Sequence, residues 1–231
     1  MALMLTSAGV TNRSIREELR RLVARPFETA SVAVVTAGDA ADHRLPLGDL
    51  ERLQRLGWRG FDVIDLFGQP AELVMRRLRA AHVVYLTGGD VHQLAQGLDS
   101  TGLAQGVKSL LHRTVIVGAS AGSLVFCADL ARRLASLHGD DGELFTPGSG
   151  AGVSPLDVVP WFLRPHTDFD TWDSAAAEAA GFPMFAIDDQ TAITVTDGDV
   201  VVVSEGRWRF VPGQRADAFA LDGLDGALAL S

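Results

Sequence analysis

Apolar positions in the first two-thirds of the chain fall into short unbroken runs separated by longer amphipathic stretches. Ala2 to Leu5, Ser31 to Thr36, Phe61 to Phe67, His82 to Thr87 and Thr114 to Val117 read as strands, the second ending at the turn signal Ala37-Gly38-Asp39. Between them, Asn12 to Val23 reads as a charged helix behind a Thr11/Asn12 cap, and Leu47 to Leu56 places Leu50, Leu53 and Leu56 on one helical face. Pro70 opens a helix through Leu78 at the position proline favours, and Val91 to Leu98 and Gly102 to Leu111 follow with helical spacing. Strands that are apolar throughout, rather than alternating, are buried on both faces. That pattern predicts a mostly parallel sheet covered by helices, a three-layer α/β/α domain. Ligands of such sheets sit at the carboxyl ends of the strands, where Gly88-Gly89 and the segment around Ser120 both fall.

Past Leu137 the pattern changes. Residues 139–155 are rich in Gly, Asp, Pro and Ser and read as loop. Met184 to Ile187, Ala192 to Val195 and Asp199 to Val203 then suggest antiparallel strands closing the domain, with a turn at Asp197-Gly198-Asp199. The chain shows no internal repeat and no linker, so residues 1–231 are expected to form one domain. The apolar stretches Val200 to Val203 and Trp208 to Val211 could cover a sheet edge or build a contact between two copies, and a homodimer is expected.

Composition narrows the function. A formal net charge of -9 among 231 residues leaves no basic face for phosphate backbones, which argues against a nucleic-acid partner. No apolar stretch is long enough to span a bilayer and the N-terminus has no basic leader, so a cytoplasmic protein without a membrane partner is expected. The single cysteine, Cys127, lies in an apolar stretch and reads as a buried small hydrophobe in a reducing compartment. Neither an HExxH pattern nor a Cys/His cluster with ligand spacing occurs, so neither a metal nor a cofactor is expected.

The chemistry is concentrated in Gly118-Ala119-Ser120-Ala121-Gly122. This is a G-x-S-x-G nucleophile elbow in its proper context, a buried strand before and an apolar helix after. Small flanking residues allow the sharp turn that strains the serine backbone. A helix starting there aims its amides and dipole at the oxyanion of acyl transfer. Among the histidines, His82, His92 and His112 fall inside predicted strands or helices, His43 precedes the elbow, and His138 ends a helix. His166, after Arg164-Pro165 and before Thr167-Asp168, lies in an irregular stretch able to present a base into a cleft. Asp168, Asp170, Asp188 and Asp189 are candidates for the carboxylate that orients the imidazole. Asp188 and Asp189, at a predicted strand end, suit a fixed support better than Asp168, which would have to fold back on its neighbour. In an α/β-hydrolase the histidine comes last in the chain order; here no histidine follows residue 166, which argues against that fold and against an esterase built on it.

With these residues the chain resembles the dipeptidase E and cyanophycinase family of serine peptidases. The resemblance rests on four ordered segments: Leu86-Thr-Gly-Gly-Asp-Val-His-Gln-Leu94, Gly118 to Gly122, Pro165-His166, and Ala186-Ile-Asp-Asp-Gln-Thr-Ala192. It implies a fold like that of class I glutamine amidotransferases, with Ser120 as nucleophile, His166 as base and Asp189 as the acid. It also implies an oxyanion hole from backbone N–H groups near Gly89 and of Ala121. Two departures stand out. The family position that usually holds glutamate holds Asp189, one methylene shorter, so Asp188 or Asp168 could take its place. After the histidine, Thr167-Asp168-Phe169-Asp170 lacks the Arg-rich run that resembles cyanophycinase, which argues against a large polymeric substrate. The implied activity is that of a serine exopeptidase on dipeptides or short peptides, with Asp-X dipeptides or C-terminal trimming as alternatives. Asp90, Arg164 and Asp168 are candidate substrate contacts, Arg164 as the cation for a carboxylate. A non-catalytic binding protein on the same scaffold is the rival from another class.

Overall fold

A computed structural model describes residues 1–36, 47–136 and 155–213 of the chain. Strands β1 (Ala2–Thr6), β2 (Ser31–Thr36), β3 (Gly60–Asp65), β4 (Val83–Leu86) and β5 (Val115–Ala119) run parallel in one sheet. Between them lie α1 (Arg13–Val23), α2 (Leu47–Gln54), α3 (Ala71–Ala80), α4 (Val91–Ser100) and α5 (Leu103–Leu110). After β5 come α6 (Ala121–Leu124), α7 (Leu130–Ser136), β6 (Phe162–Arg164), α8 (Ser174–Ala179), β7 (Met184–Ile187), β8 (Thr191–Thr196), β9 (Asp199–Ser204) and β10 (Trp208–Val211). The main sheet has seven strands in the order β3-β2-β4-β5-β1-β8-β9, with β8 antiparallel to both β1 and β9. This is the mostly parallel α/β architecture that the run pattern predicts.

The unbroken apolar strands are buried on both sides. Along β1, Leu3 and Leu5 enter one core cluster while Met4 enters the other, and all three are fully buried. Leu53 of α2 and Ile15 and Leu19 of α1 close one face; Val74 and Leu78 of α3, Leu98 of α4 and Val107 of α5 close the other. Helix α1 begins where the cap residue suggests: Asn12 accepts from the Ile15 amide at 2.9 Å, and Arg20 and Arg21 occupy the last turn, where cations suit the dipole.

The antiparallel strands expected in the C-terminal third divide between two sheets. The hairpin β8–β9 is present, its turn made by Asp197 and Gly198, both at positive φ. Met184–Ile187 does not join it. As β7 it forms a separate three-stranded sheet, between β10, antiparallel to it, and β6, parallel to it. Phe185 is the physical reason: fully buried, it packs against Trp161, Trp208 and Phe210 with ring centroids 4.9, 6.4 and 4.7 Å away, an aromatic core of its own. Trp208–Val211 thus pairs with β7 within one chain. The loop expected at 139–155 lies, up to residue 154, outside the described residues, as do His43 and His138. Among the described residues no helix is long and apolar enough to cross a membrane.

Candidate active site

Three adjacent strands, β4, β5 and β1, deliver their carboxyl ends to one cleft. Ser7 and Ala8 follow β1, Gly88 and Gly89 follow β4, and Ser120 follows β5. Together with Gly48, Asp49 and Arg52 of α2 and with His166 they line a pocket of about 330 Å3.

The turn after β5 is held by close packing. Ser120 adopts φ 50° and ψ -116°, a backbone conformation that a side chain disfavours and that marks a strained site. A β-carbon on Gly118 would stand 2.4 Å from the carbonyl oxygen of Gly122. At position 122 it would stand 2.1 Å from that of Leu86. Glycine is therefore required at both ends of the elbow. Its other side is tied to β1: the Ser120 amide donates to the Thr6 carbonyl at 3.0 Å, the Thr6 hydroxyl donates to the Gly118 carbonyl at 2.9 Å, and the buried Ser123 hydroxyl donates to the Thr6 carbonyl at 2.8 Å. The helix expected behind the serine is a single turn, α6, so little macrodipole is available and the local amides carry the electrostatics.

The serine hydroxyl oxygen lies 3.0 Å from Nε2 of His166, and Nδ1 of the same ring lies 2.6 Å from Oδ1 of Asp189. His166 sits two residues past β6, at φ 54°, with its amide donating to the Ser7 hydroxyl at 2.7 Å. The hydrogen bond from His166 is the largest influence holding the Asp189 carboxyl below its ordinary range; burial opposes it, and the Ser7 hydroxyl adds to it.

Among the alternative acids, the structure brings only Asp189 to the ring. Asp188 faces the other way, accepting from the Gln190 amide at 3.0 Å, the Thr191 hydroxyl at 2.8 Å and the Arg207 amide at 2.5 Å. Asp168 is engaged by its own loop, through the Asp170 amide at 3.0 Å and the Thr171 hydroxyl at 3.1 Å. Asp90 caps α4, accepting from the amides of His92 and Gln93, and Arg164 lies in β6; none of Asp90, Arg164 and Asp168 lines the pocket. Gly89, at φ 130°, lines the pocket with Ser120, and Ala121 follows the serine directly as the first residue of α6. His82 is structural, its Nδ1 accepting from the Ser31 amide at 3.1 Å. Cys127 is fully buried and its thiol is pushed up to about 12 by that burial, which keeps it protonated and unreactive near neutral pH.

Three pocket residues are invisible to motif reading. Ser7 touches both Asp189 and His166; Asp49 and Arg52 form an ion pair on α2 beside the serine. Asp49 is shielded enough that burial raises its carboxyl above the ordinary range, with Arg52 opposing the rise. Arg52 also donates to the Ala8 carbonyl at 3.3 Å. The spacing of leucines marks α2 as a helix, but nothing local says that its Asp49 and Arg52 reach the cleft. Among the described residues, no group of three His, Cys, Asp or Glu side chains could hold a metal ion.

A serine, a histidine and a carboxylate in hydrogen-bonded series at the carboxyl end of a mostly parallel sheet define the class, that of a serine hydrolase. The sequence profile of peptidase family S51 matches residues 3–203, and the chain belongs to that family. Its fold is similar to the crystal structure of a candidate peptidase E of Listeria monocytogenes EGD-e, with a TM-score of 0.68 at 15% identity over 89% of this chain and 98% of that one. It is also similar to a peptidase from an acI-B1 Actinobacterium, with a TM-score of 0.57 at 19% identity over 91% of this chain and 90% of that one. No curated protein matches the sequence.

Proposed function

We propose that this peptidase is an exopeptidase that hydrolyses dipeptides or short peptides through an acyl-enzyme on Ser120. The observation that carries the reading is the 3.0 Å approach of the Ser120 hydroxyl to Nε2 of His166 at the lining of an open cleft. His166 takes the hydroxyl proton as Ser120 attacks the scissile carbonyl, then gives it to the departing amine. Water activated by the same imidazole releases the acyl group. Asp189 holds the ring and stabilises its protonated form. The amides of Gly89 and Ala121 receive the oxyanion.

The charges beside the serine support a short substrate. A dipeptide carries an ammonium and a carboxylate within one small volume, and Asp49 and Arg52 offer one group of each complementary sign in the same pocket. Of the two substrate classes the resemblance raises, free dipeptides use both charges, whereas an N-blocked peptide uses only the cation. The test is release of free amino acids from a panel of dipeptides, N-acetylated dipeptides and longer peptides, with Ser120→Ala as control. Hydrolysis of the free dipeptides that vanishes in the variant is the expected result; full turnover by Ser120→Ala, or hydrolysis confined to N-blocked or long peptides, would overturn it.

A further inference from the structure

We infer that Ser7 is a positioning residue of this site, whose hydroxyl holds His166 with its proton on Nδ1 and its lone pair on the side of Ser120. The inference rests on Ser120, His166 and Asp189 acting as proposed above.

Ser7 is fully buried at the end of β1. Its oxygen is the meeting point of three groups: the His166 amide at 2.7 Å, Asp189 Oδ1 at 2.7 Å and His166 Nδ1 at 3.3 Å. A hydroxyl has one proton to give. A backbone N–H can only donate, so the Ser7 oxygen accepts there. Its proton then has two possible destinations, the carboxylate and Nδ1. The carboxylate is charged, accepts only, and is nearer by 0.6 Å (3.3 less 2.7), so it takes the proton.

The consequence falls on the ring. With the Ser7 proton directed to Asp189, nothing donates to Nδ1. Nδ1 and Oδ1 stand 2.6 Å apart, a separation tenable only if a proton lies between them, and the imidazole must supply it. Nε2 is then the free acceptor, 3.0 Å from the serine hydroxyl, as proton abstraction requires. In the other tautomer, with Ser7 donating to Nδ1, Asp189 would lose both of these donors and Ser120 would face an N–H. The same hydroxyl also receives the amide of a residue at φ 54°, so it secures the backbone from which the ring projects.

Two readings on the full-length protein test this. In Ser7→Ala, kcat for a cleaved dipeptide should fall about 10- to 100-fold, the range for outer partners that orient a histidine, with KM within about twofold. In the Ser120→Ala background, the low-field proton resonance of His166 Nδ1 should shift or broaden when Ser7→Ala is added. A merely structural role would lower the melting temperature without moving that resonance. Either reading at its wild-type value overturns the inference. Should Ser7→Ala melt below the assay temperature, Ser7→Cys, with similar volume and a weaker donor, carries the same two readings. Activity persisting in Ser120→Ala alone is a different failure, because it removes the triad and not the role of Ser7 within it.

Discussion

The Leu86 carbonyl oxygen and the α-carbon of Gly122 are in such close contact that a β-carbon on Gly122 would lie 2.1 Å from that oxygen, well inside contact distance. This places the helical turn after Ser120 directly against the end of β4, where Gly88 and Gly89 begin. The two walls of the cleft are thereby locked to one another. Gly122→Ala should consequently abolish activity and destabilise the fold by about 2–4 kcal/mol, since the Leu86 carbonyl is backbone and cannot swing away. Chemical denaturation of the variant, compared with alanine at the exposed Gly68, where a β-carbon would meet nothing nearer than 3.7 Å, is the measurement. A wild-type midpoint would show that β4 and the elbow can separate.

Ser120 bears backbone strain, at φ 50° and ψ -116°. Ser120→Gly should abolish hydrolysis yet raise stability by about 1 kcal/mol, the relief of a disfavoured conformation less the entropy glycine brings to the unfolded chain. For a domain of this size that is a rise of about 2–4 °C in Tm. Ser120→Ala should abolish hydrolysis with little thermal gain, because it keeps the β-carbon. Equal melting temperatures for the two variants would contradict the strain.

Asp189→Asn should lower kcat by about 10,000-fold, as loss of the carboxylate allows the wrong tautomer. The pH dependence follows from the lowered Asp189 carboxyl. A carboxyl depressed in the folded state stays ionised through the ordinary carboxylate range, and the stability it contributes is lost only as pH falls through its folded value. The pH profile of kcat/KM should therefore show no limb in the ordinary carboxylate range, near pH 4. A limb near pH 4 that disappears in Asp189→Asn would show the carboxyl to be unshifted.

Asp49 presents the opposite sign. Burial raises its carboxyl, so the folded protein binds that proton more readily than the unfolded chain, and the ionised form costs stability above the folded value. Arg52 offsets this cost. Arg52→Ala should raise KM for free dipeptides and destabilise by about 1–3 kcal/mol at pH 7, leaving a half-buried carboxylate unpaired. The deficit should shrink as the pH is lowered toward 5. Thermal melts of the variant at pH 5 and 7 check it; a deficit independent of pH would place its origin in packing instead.

Cys127 should be inert. Its buried thiol, pushed up to about 12, predicts no reaction with maleimide in native protein at pH 7 and full reaction after denaturation. Activity that survives the native treatment agrees with serine chemistry; rapid native labelling would mean that the segment opens.

Much was legible along the chain because its code is local. Unbroken apolar runs mean two-sided burial, so β1, β2, β4 and β5 and the parallel sheet could be read directly. The glycines at 118 and 122 announced a strained serine, because only a backbone approach so close excludes a side chain. Pro165-His166 marked an irregular segment where a base could project. Other features depend on what lies across space. Asp188 and Asp189 are neighbours with the same chemistry, yet the first closes its own turn and the second reaches His166. They leave β7, which lies in a second sheet around Phe185, Trp161, Trp208 and Phe210, a pairing no local pattern states. Ser7, 159 residues from His166, and the Asp49–Arg52 pair enter the site for the same reason: a hydroxyl or an ion pair carries no signature in sequence until the packing of the sheet decides which atoms it faces.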